Sequence, residues 1–191
     1  MISGGRKGMG EFYKIPWEKY GMIAYLAKKI QGLNTQFGKT TIQKLIYILQ
    51  EIYGVNIGYK YILYNYGPYS QDLASDLDYV AALDGVTISW VNSGGYDIKP
   101  GDRNEVFIEK SSGFINLNKE KIDQAIMEFG GYNAKELELR ATIIYMVHEH
   151  DEKDIEKIVE KVYDLKPYFS CEKIRSAVIE LKEKGLLEIN I

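Results

Sequence analysis

The 191-residue sequence predicts an α+β, mostly helical fold, with a winged-helix-like N-terminal part that carries a β-wing and a C-terminal winged-helix-like part of three helices. Three observations carry that expectation. Apolar residues recur at three- and four-residue steps through most of the chain, which is the helical period. Two β-branched or aromatic stretches flank a turn-rich segment, Asn92-Ser93-Gly94-Gly95 and then Pro100-Gly101-Asp102, which reads as a long hairpin or wing. The last third ends in a helix, a glycine and Leu186-Leu187-Glu188-Ile189, the outline of a winged helix-turn-helix. The expected organisation is a flexible lead-in at 1–15, a winged-helix-like domain with its β-wing at 16–130, and a helical winged-helix-like domain at 131–191. Gly130-Gly131 marks the boundary.

The elements follow in order. Pro16 suits the first position of a helix, and Trp17, Tyr20, Ile23, Ala24, Ala27 and Ile30 then line one face. Thr40 and Gln43 have the spacing of a capping box for a helix over about 41–53, which buries Ile42, Leu45, Ile46, Leu49 and Ile52. Tyr59 to Tyr66 is aromatic enough for a strand that Gly67-Pro68 breaks. Ser70 is an expected N-cap, with Asp72 in the first turn and Leu73, Leu77, Val80 and Ala81 as the buried stripe. Val86–Val91 and Asn104–Lys110 read as two strands, and Asn118–Phe129 as a helix. Asn133 opens the next helix, with Glu136 three residues on and Leu137, Ala141, Ile144, Tyr145 and His148 on its apolar face. Lys153–Tyr163 follows, stopped by Pro167. Ser170 caps Cys171–Lys184, whose stripe is Ile174, Ala177, Val178 and Leu181. A strand over Leu186–Ile191 completes the pattern.

Composition narrows the function classes. Apolar residues make up 46% and charged residues 27% of the chain, ordinary for a folded protein. No apolar run approaches the roughly 18 residues that read as a membrane span, so no membrane partner is expected. The N-terminus lacks an apolar secretory segment. Cys171 is the single cysteine, which excludes an internal disulfide and favours a reducing compartment, the cytoplasm by default. The net charge of −3 is unevenly spread. Residues 1–50 hold eight Lys/Arg against Glu11 and Glu18, whereas Tyr61 through Ile98 contain no Lys or Arg and include Asp72, Asp76, Asp78, Asp84 and Asp97.

No catalytic or cofactor-binding constellation stands out, and no cofactor is expected. Five residues separate Gly32 from Gly38 in GLNTQFGKTT, where the G-x-x-x-x-G-K-[ST] phosphate loop needs four. His148 and His150 are two apart, so on a helix they diverge and do not share a metal. Cys171 has no partner motif. That leaves the tyrosines. Strand alternation puts Tyr59 and Tyr61 on one side, Tyr64 and Tyr66 on the other. Tyrosine offers large contact area and a polar tip, which suits protein interfaces. Base stacking would also need a positive groove, and this stretch is acidic. Tyr59, Tyr61, Asp72 and Asp76 are therefore the expected exposed partner-binding residues. Tyr66-Gly67-Pro68-Tyr69-Ser70 is expected to be a packed strand-to-helix corner.

TTIQKLIYILQEIYG, followed by YNYGPYSQDL, resembles the Panacea/SocA-type antitoxin superfamily and the related YwgA-like bacterial and archaeal proteins. The matching positions are Gln43, Lys44, Leu45, Tyr47, Tyr66, Gly67, Pro68, Tyr69 and Ser70, and the tail LKPYFSCEKIRSAVIELKEKGLLEI resembles the YwgA-like branch. The likeness runs over roughly 17–190. It implies a small intracellular protein of mostly helical, winged-helix-like build. For the antitoxin branch it implies a domain that neutralises a toxin or delivers a partner to a protease. The expected function is a non-enzymatic protein-interaction module with a protein partner. The alternative is a sequence-specific DNA-binding regulator that reads nucleic acid through Lys173, Arg175, Ser176 and Lys182 on the last helix. Duplex binding needs a basic surplus, and that helix also carries Glu172, Glu180 and Glu183.

Overall fold

The computed structural model describes residues 15–33, 35–92 and 94–190. The expected lead-in therefore falls almost wholly outside the described residues. The chain is α+β and largely helical, with two small antiparallel sheets among the described residues.

Helix α1, Trp17–Ile30, starts after Pro16, which serves as N-cap and not as the first helical residue. Its buried residues run from Gly21 to Ala27, and it packs along the later helices Gln71–Ala82, Asn104–Lys110 and Ser112–Leu117. Helix α2, Lys39–Glu51, buries every residue from Thr41 to Leu49. Burying each such aliphatic side chain is worth about 1.5–3 kcal/mol, so α2 is held by packing. The expected Thr40–Gln43 capping box does not form. Gly38, which has no side chain to cap with, is the N-cap, and Gln43 is drawn away to the 60s hairpin.

The tyrosine stretch corrects the sequence reading most. β1, Ile62–Tyr64, turns through Asn65-Tyr66 and pairs antiparallel with β2, Gly67–Tyr69. Gly67-Pro68 thus continues a hairpin where a break was expected. Pro68 has no N–H to give. It faces Leu63 in the pair that exchanges no hydrogen bonds, where none is needed. Gly67 has φ +83°, and a Cβ there would lie 2.8 Å from Thr142 Oγ1, so both the turn and the close packing demand glycine.

Helix α3, Gln71–Ala82, is capped as expected: the Leu73 N–H donates to Ser70 Oγ at 3.3 Å. Ser70→Ala is expected to cost about 0.5–2 kcal/mol in a chemical melt through loss of that cap. A second antiparallel hairpin pairs β3, Val86–Trp90, with β4, Tyr96–Pro100. Asn104–Lys110, expected as the second strand, is helix α4. Its buried residues Asn104 and Phe107, followed by Ser111, have helical spacing. Gly21 lets it approach α1, where a Cβ would come within 1.6 Å of Ser111 Oγ. Short α5, Ser112–Leu117, leads into α6, Lys119–Phe129.

Helix α7, Ala134–His150, opens with a complete capping box between Asn133 and Glu136. Every residue from Leu137 to Ile144 is buried, including Glu138, Arg140 and Thr142. A helix enclosed on all sides has little amphipathic contrast, which is why its polar residues read as a solvent face in sequence. α7 packs on α2 and β2 and on α8, Ile155–Leu165, and α9, Cys171–Glu183. Ser170 caps α9 as expected. Arg140 pairs with Glu180 across α7 and α9. Burial alone would raise the Glu180 carboxyl, but hydrogen bonds from Arg140, Lys184 and Tyr132 outweigh it and hold its pKa at about 2. After α9 the expected strand Leu186–Ile191 does not form within the described residues. A single parallel bridge, Asp154 to Asn190, stands in its place, because Asn190 meets the start of α8 and no sheet lies there to extend. No described helix is long and apolar enough to cross a membrane.

Candidate functional site

The β1–β2 hairpin has two faces of opposite character. Alternation puts Tyr61, Leu63, Pro68 and Ser70 on the inner side, where Pro68 and Ser70 are buried and Tyr61 and Leu63 half-buried. Lys60 just before β1, Ile62 and Tyr64 within it, and Tyr69 and Gln71 from the returning chain form the outer side. Ile62 is 63% exposed, Tyr64 57%, and Tyr66 at the turn 63%. The Tyr64 and Tyr69 rings lie 5.7 Å apart. Lys60, Ile62, Tyr64, Tyr69, Gln71 and Asp72 line a groove of ≈ 480 Å³ on this face.

The inner face is fastened by α2. The Gln43 carboxamide accepts from the Ser70 N–H at 2.9 Å and donates to the Ser70 carbonyl at 2.9 Å, so it copies a strand partner. Lys44 Nζ donates to the Pro68 carbonyl at 2.8 Å. The Tyr47 ring meets Tyr61 at 5.0 Å and Tyr145 at 6.3 Å. Adjacent residues of α2 thereby hold Pro68 in β2 and Ser70 just after it, and the next turn of the helix packs under the start of the hairpin.

Beneath the hairpin lies a buried charged cluster. Lys44 is 2% exposed, Glu138 4% and Lys166 3%. Lys166 Nζ lies 2.9 Å from Glu138 Oε1 and donates to the Asn65 carbonyl at the hairpin turn. The Tyr168 hydroxyl donates to the same carboxylate. Thr142 Oγ1 donates to the Glu138 carbonyl at 2.7 Å. Lys166 pairs directly with the carboxylate, and Lys44 feels its charge through space. Burial lowers the Lys44 pKa to about 7, with Glu138 opposing that shift and Lys166 adding to it. Burial and the hydrogen bond to Glu138 raise the Tyr168 phenol. Beside the cluster, a cleft of ≈ 370 Å³ runs between Tyr66 and Tyr168, with Thr40, Ala134, Lys135 and Glu138 completing its walls.

The four expected partner-binding residues part company. Tyr59 is 5% exposed, and its hydroxyl donates to Asp76 Oδ2 at 2.9 Å, while Lys19 Nζ sits 4.3 Å from the centre of its ring. Tyr61 is half-buried under β1, with its hydroxyl buried. Asp76 is partly buried, and burial raises its carboxyl above the usual range despite the Tyr59 hydrogen bond. Asp72 alone remains at the exposed groove. Tyr66, expected to be packed in the corner, is exposed, because the chain turns at Asn65-Tyr66 and leaves the ring outside. Of the eight motif residues Gln43, Lys44, Tyr47, Tyr66, Gly67, Pro68, Tyr69 and Ser70, all lie in or directly beneath the hairpin and its junction with α3. On α9, Lys173 and Ser176 are exposed and Lys182 is half-buried, whereas Arg175 is engaged by Glu156 through both guanidinium nitrogens.

Sequence reasoning missed Ile62, Tyr64, Glu138, Lys166 and Tyr168. Alternation did separate Tyr64 from Tyr59 and Tyr61. It could not say which set faces water, since both sets are aromatic. Glu138 and Lys166 carry no local signal. Both look like ordinary surface charges until α7 and the α8–α9 junction close over them.

No protein-family model matches this chain, and a search of curated proteins finds no match.

Proposed function

We propose that this chain is a non-enzymatic protein-interaction module, antitoxin- or adaptor-like, that presents the outer face of the β1–β2 hairpin to a protein partner in the cytoplasm. The observation that carries the reading is the run of exposed Ile62, Tyr64 and Tyr66, with half-buried Tyr69 beside them, on a hairpin whose other face is locked. Tyrosine brings contact area at little conformational cost, and a scaffold already rigid before binding spends less on ordering. The resemblance in the QKLIY and YGPYS segments supports an antitoxin or adaptor role, with a toxin or a protease substrate as partner. A winged-helix-like arrangement of the helices belongs to the same reading. DNA recognition through Lys173, Arg175, Ser176 and Lys182 has less support, since Glu156 already neutralises Arg175.

Capture on immobilised protein from the native host tests this. The parent is expected to retain a stoichiometric protein that the Tyr64→Ala/Tyr66→Ala double variant loses. Stability should change by only about 0.5 kcal/mol per site, the usual range for surface positions. Retention of the same protein by both forms would overturn the reading. So would nanomolar binding of a genomic DNA fragment that weakens steeply with salt.

A further inference from the structure

We propose that the β1–β2 hairpin is a pH-responsive latch, in which proton uptake by the buried Lys44 amine beneath it favours its lifting away from α2 and α7. The geometry comes first. Lys44 and Lys166 reach up from beneath and each hold a hairpin carbonyl, Pro68 and Asn65 respectively. Glu138 is the single buried acid among the described residues, and it pairs with Lys166. Two buried ammonium groups against one carboxylate leave a positive charge unbalanced wherever both lysines are protonated. The groups around Lys44 are known from each element that packs on α2. α7 brings Glu138, whose carboxylate also accepts from Tyr168, and the segment after α8 brings Lys166. β2 brings the Pro68 carbonyl, and α3, α6 and β4 bring no acting charge among the described residues. Arg140 is turned to Glu180. Nothing here supplies a second anion to Lys44.

The direction follows by linkage. With the hairpin down, Lys44 is buried and its pKa is about 7. With the hairpin lifted, the amine meets water and returns toward about 10.4, the value of a hydrated lysine. Lifting therefore takes a proton from solvent onto Nζ at any pH between these values. The base has a depressed pKa in the closed form, so closure strengthens as pH rises from about 7 toward 10 and is flat below 7. Between pH 7 and pH 9 the open fraction should fall about 50-fold. The hairpin that carries the exposed tyrosines would thus be loosest at and below neutrality. The latch needs no partner, so its failure and that of the interaction reading are separable.

Amide hydrogen exchange on the full chain, corrected for intrinsic rates, reads the opening directly. Protection at Ser70, whose N–H donates to Gln43 Oε1 on α2, is expected to rise about 50-fold from pH 7 to pH 9 relative to α9 amides such as Leu181. In Lys44→Met the rise should vanish. An unchanged ratio in the parent, or the same rise in Lys44→Met, would overturn the proposal. Should Lys44→Met fail to fold, the Lys44 side chain can be titrated in the parent by NMR at Cε. A midpoint near neutrality supports the latch, and a midpoint near 10 rejects it.

Discussion

Glu138→Gln is expected to cost about 3–5 kcal/mol of folding stability, the usual loss when one partner of a buried ion pair is removed. The substitution keeps shape. A glutamine oxygen can still accept from Lys166 and Tyr168, so the loss isolates charge. What remains is the Lys166 ammonium, 3% exposed, with no anion beside it and its other contact the neutral Asn65 carbonyl. Lys44 loses the one neighbour that favours its charged form. An exposed glutamate on a helix would show almost nothing, since surface ion pairs contribute about 0–1 kcal/mol. Urea unfolding of parent and variant separates the two cases. A change below about 1 kcal/mol would mean that water reaches the cluster and that the carboxylate is not its electrostatic centre.

Tyr47→Ala is expected to cost a similar amount, about 3–5 kcal/mol, while Tyr47→Phe should be neutral or stabilising. The pair divides the residue into ring and hydroxyl. The ring is 1% exposed and lies between Tyr61 and Tyr145, so its removal leaves a cavity under β1. The hydroxyl is buried without a hydrogen-bond partner among the described residues. Burial, with help from Glu51 and Glu149, pushes the phenol far above its ordinary range, so it stays protonated throughout the working pH range. Deleting an unpaired buried polar atom removes a desolvation cost of about 1–3 kcal/mol. Thermal or urea melts of both variants check the division. A large loss in Tyr47→Phe would show that the hydroxyl is bonded after all, for instance through a bridging water.

Where local chemistry decides, the residues speak for themselves. Ser70, Ser170 and Asn133 each announce a helix start, because a short oxygen-bearing side chain satisfies a free backbone N–H within its own turn. The stripe of α9, Ile174, Ala177, Val178 and Leu181, is buried as its spacing requires. The motif pair QKLIY and YGPYS is visible as a pair, yet its wiring is not. That Gln43 serves Ser70, and not the capping box with Thr40, depends on the hairpin lying over α2.

The sequence by itself determined the mostly helical α+β class, the starts of the helices capped by Ser70, Asn133 and Ser170, and the strand that begins at Val86. All of these rest on interactions within a few residues of the chain. Tertiary structure alone decided three things. It made Asn104–Lys110 a helix, because Gly21 allows a close helix contact that outweighs local strand preference. It chose which tyrosines face water, because a two-residue turn at Asn65-Tyr66 swings Tyr66 outward and packs Tyr59 onto Asp76. And it turned Lys44, Glu138 and Lys166, spread across more than half the chain, into one buried cluster. Charge burial is a property of what closes over a side chain, and no local pattern encodes that.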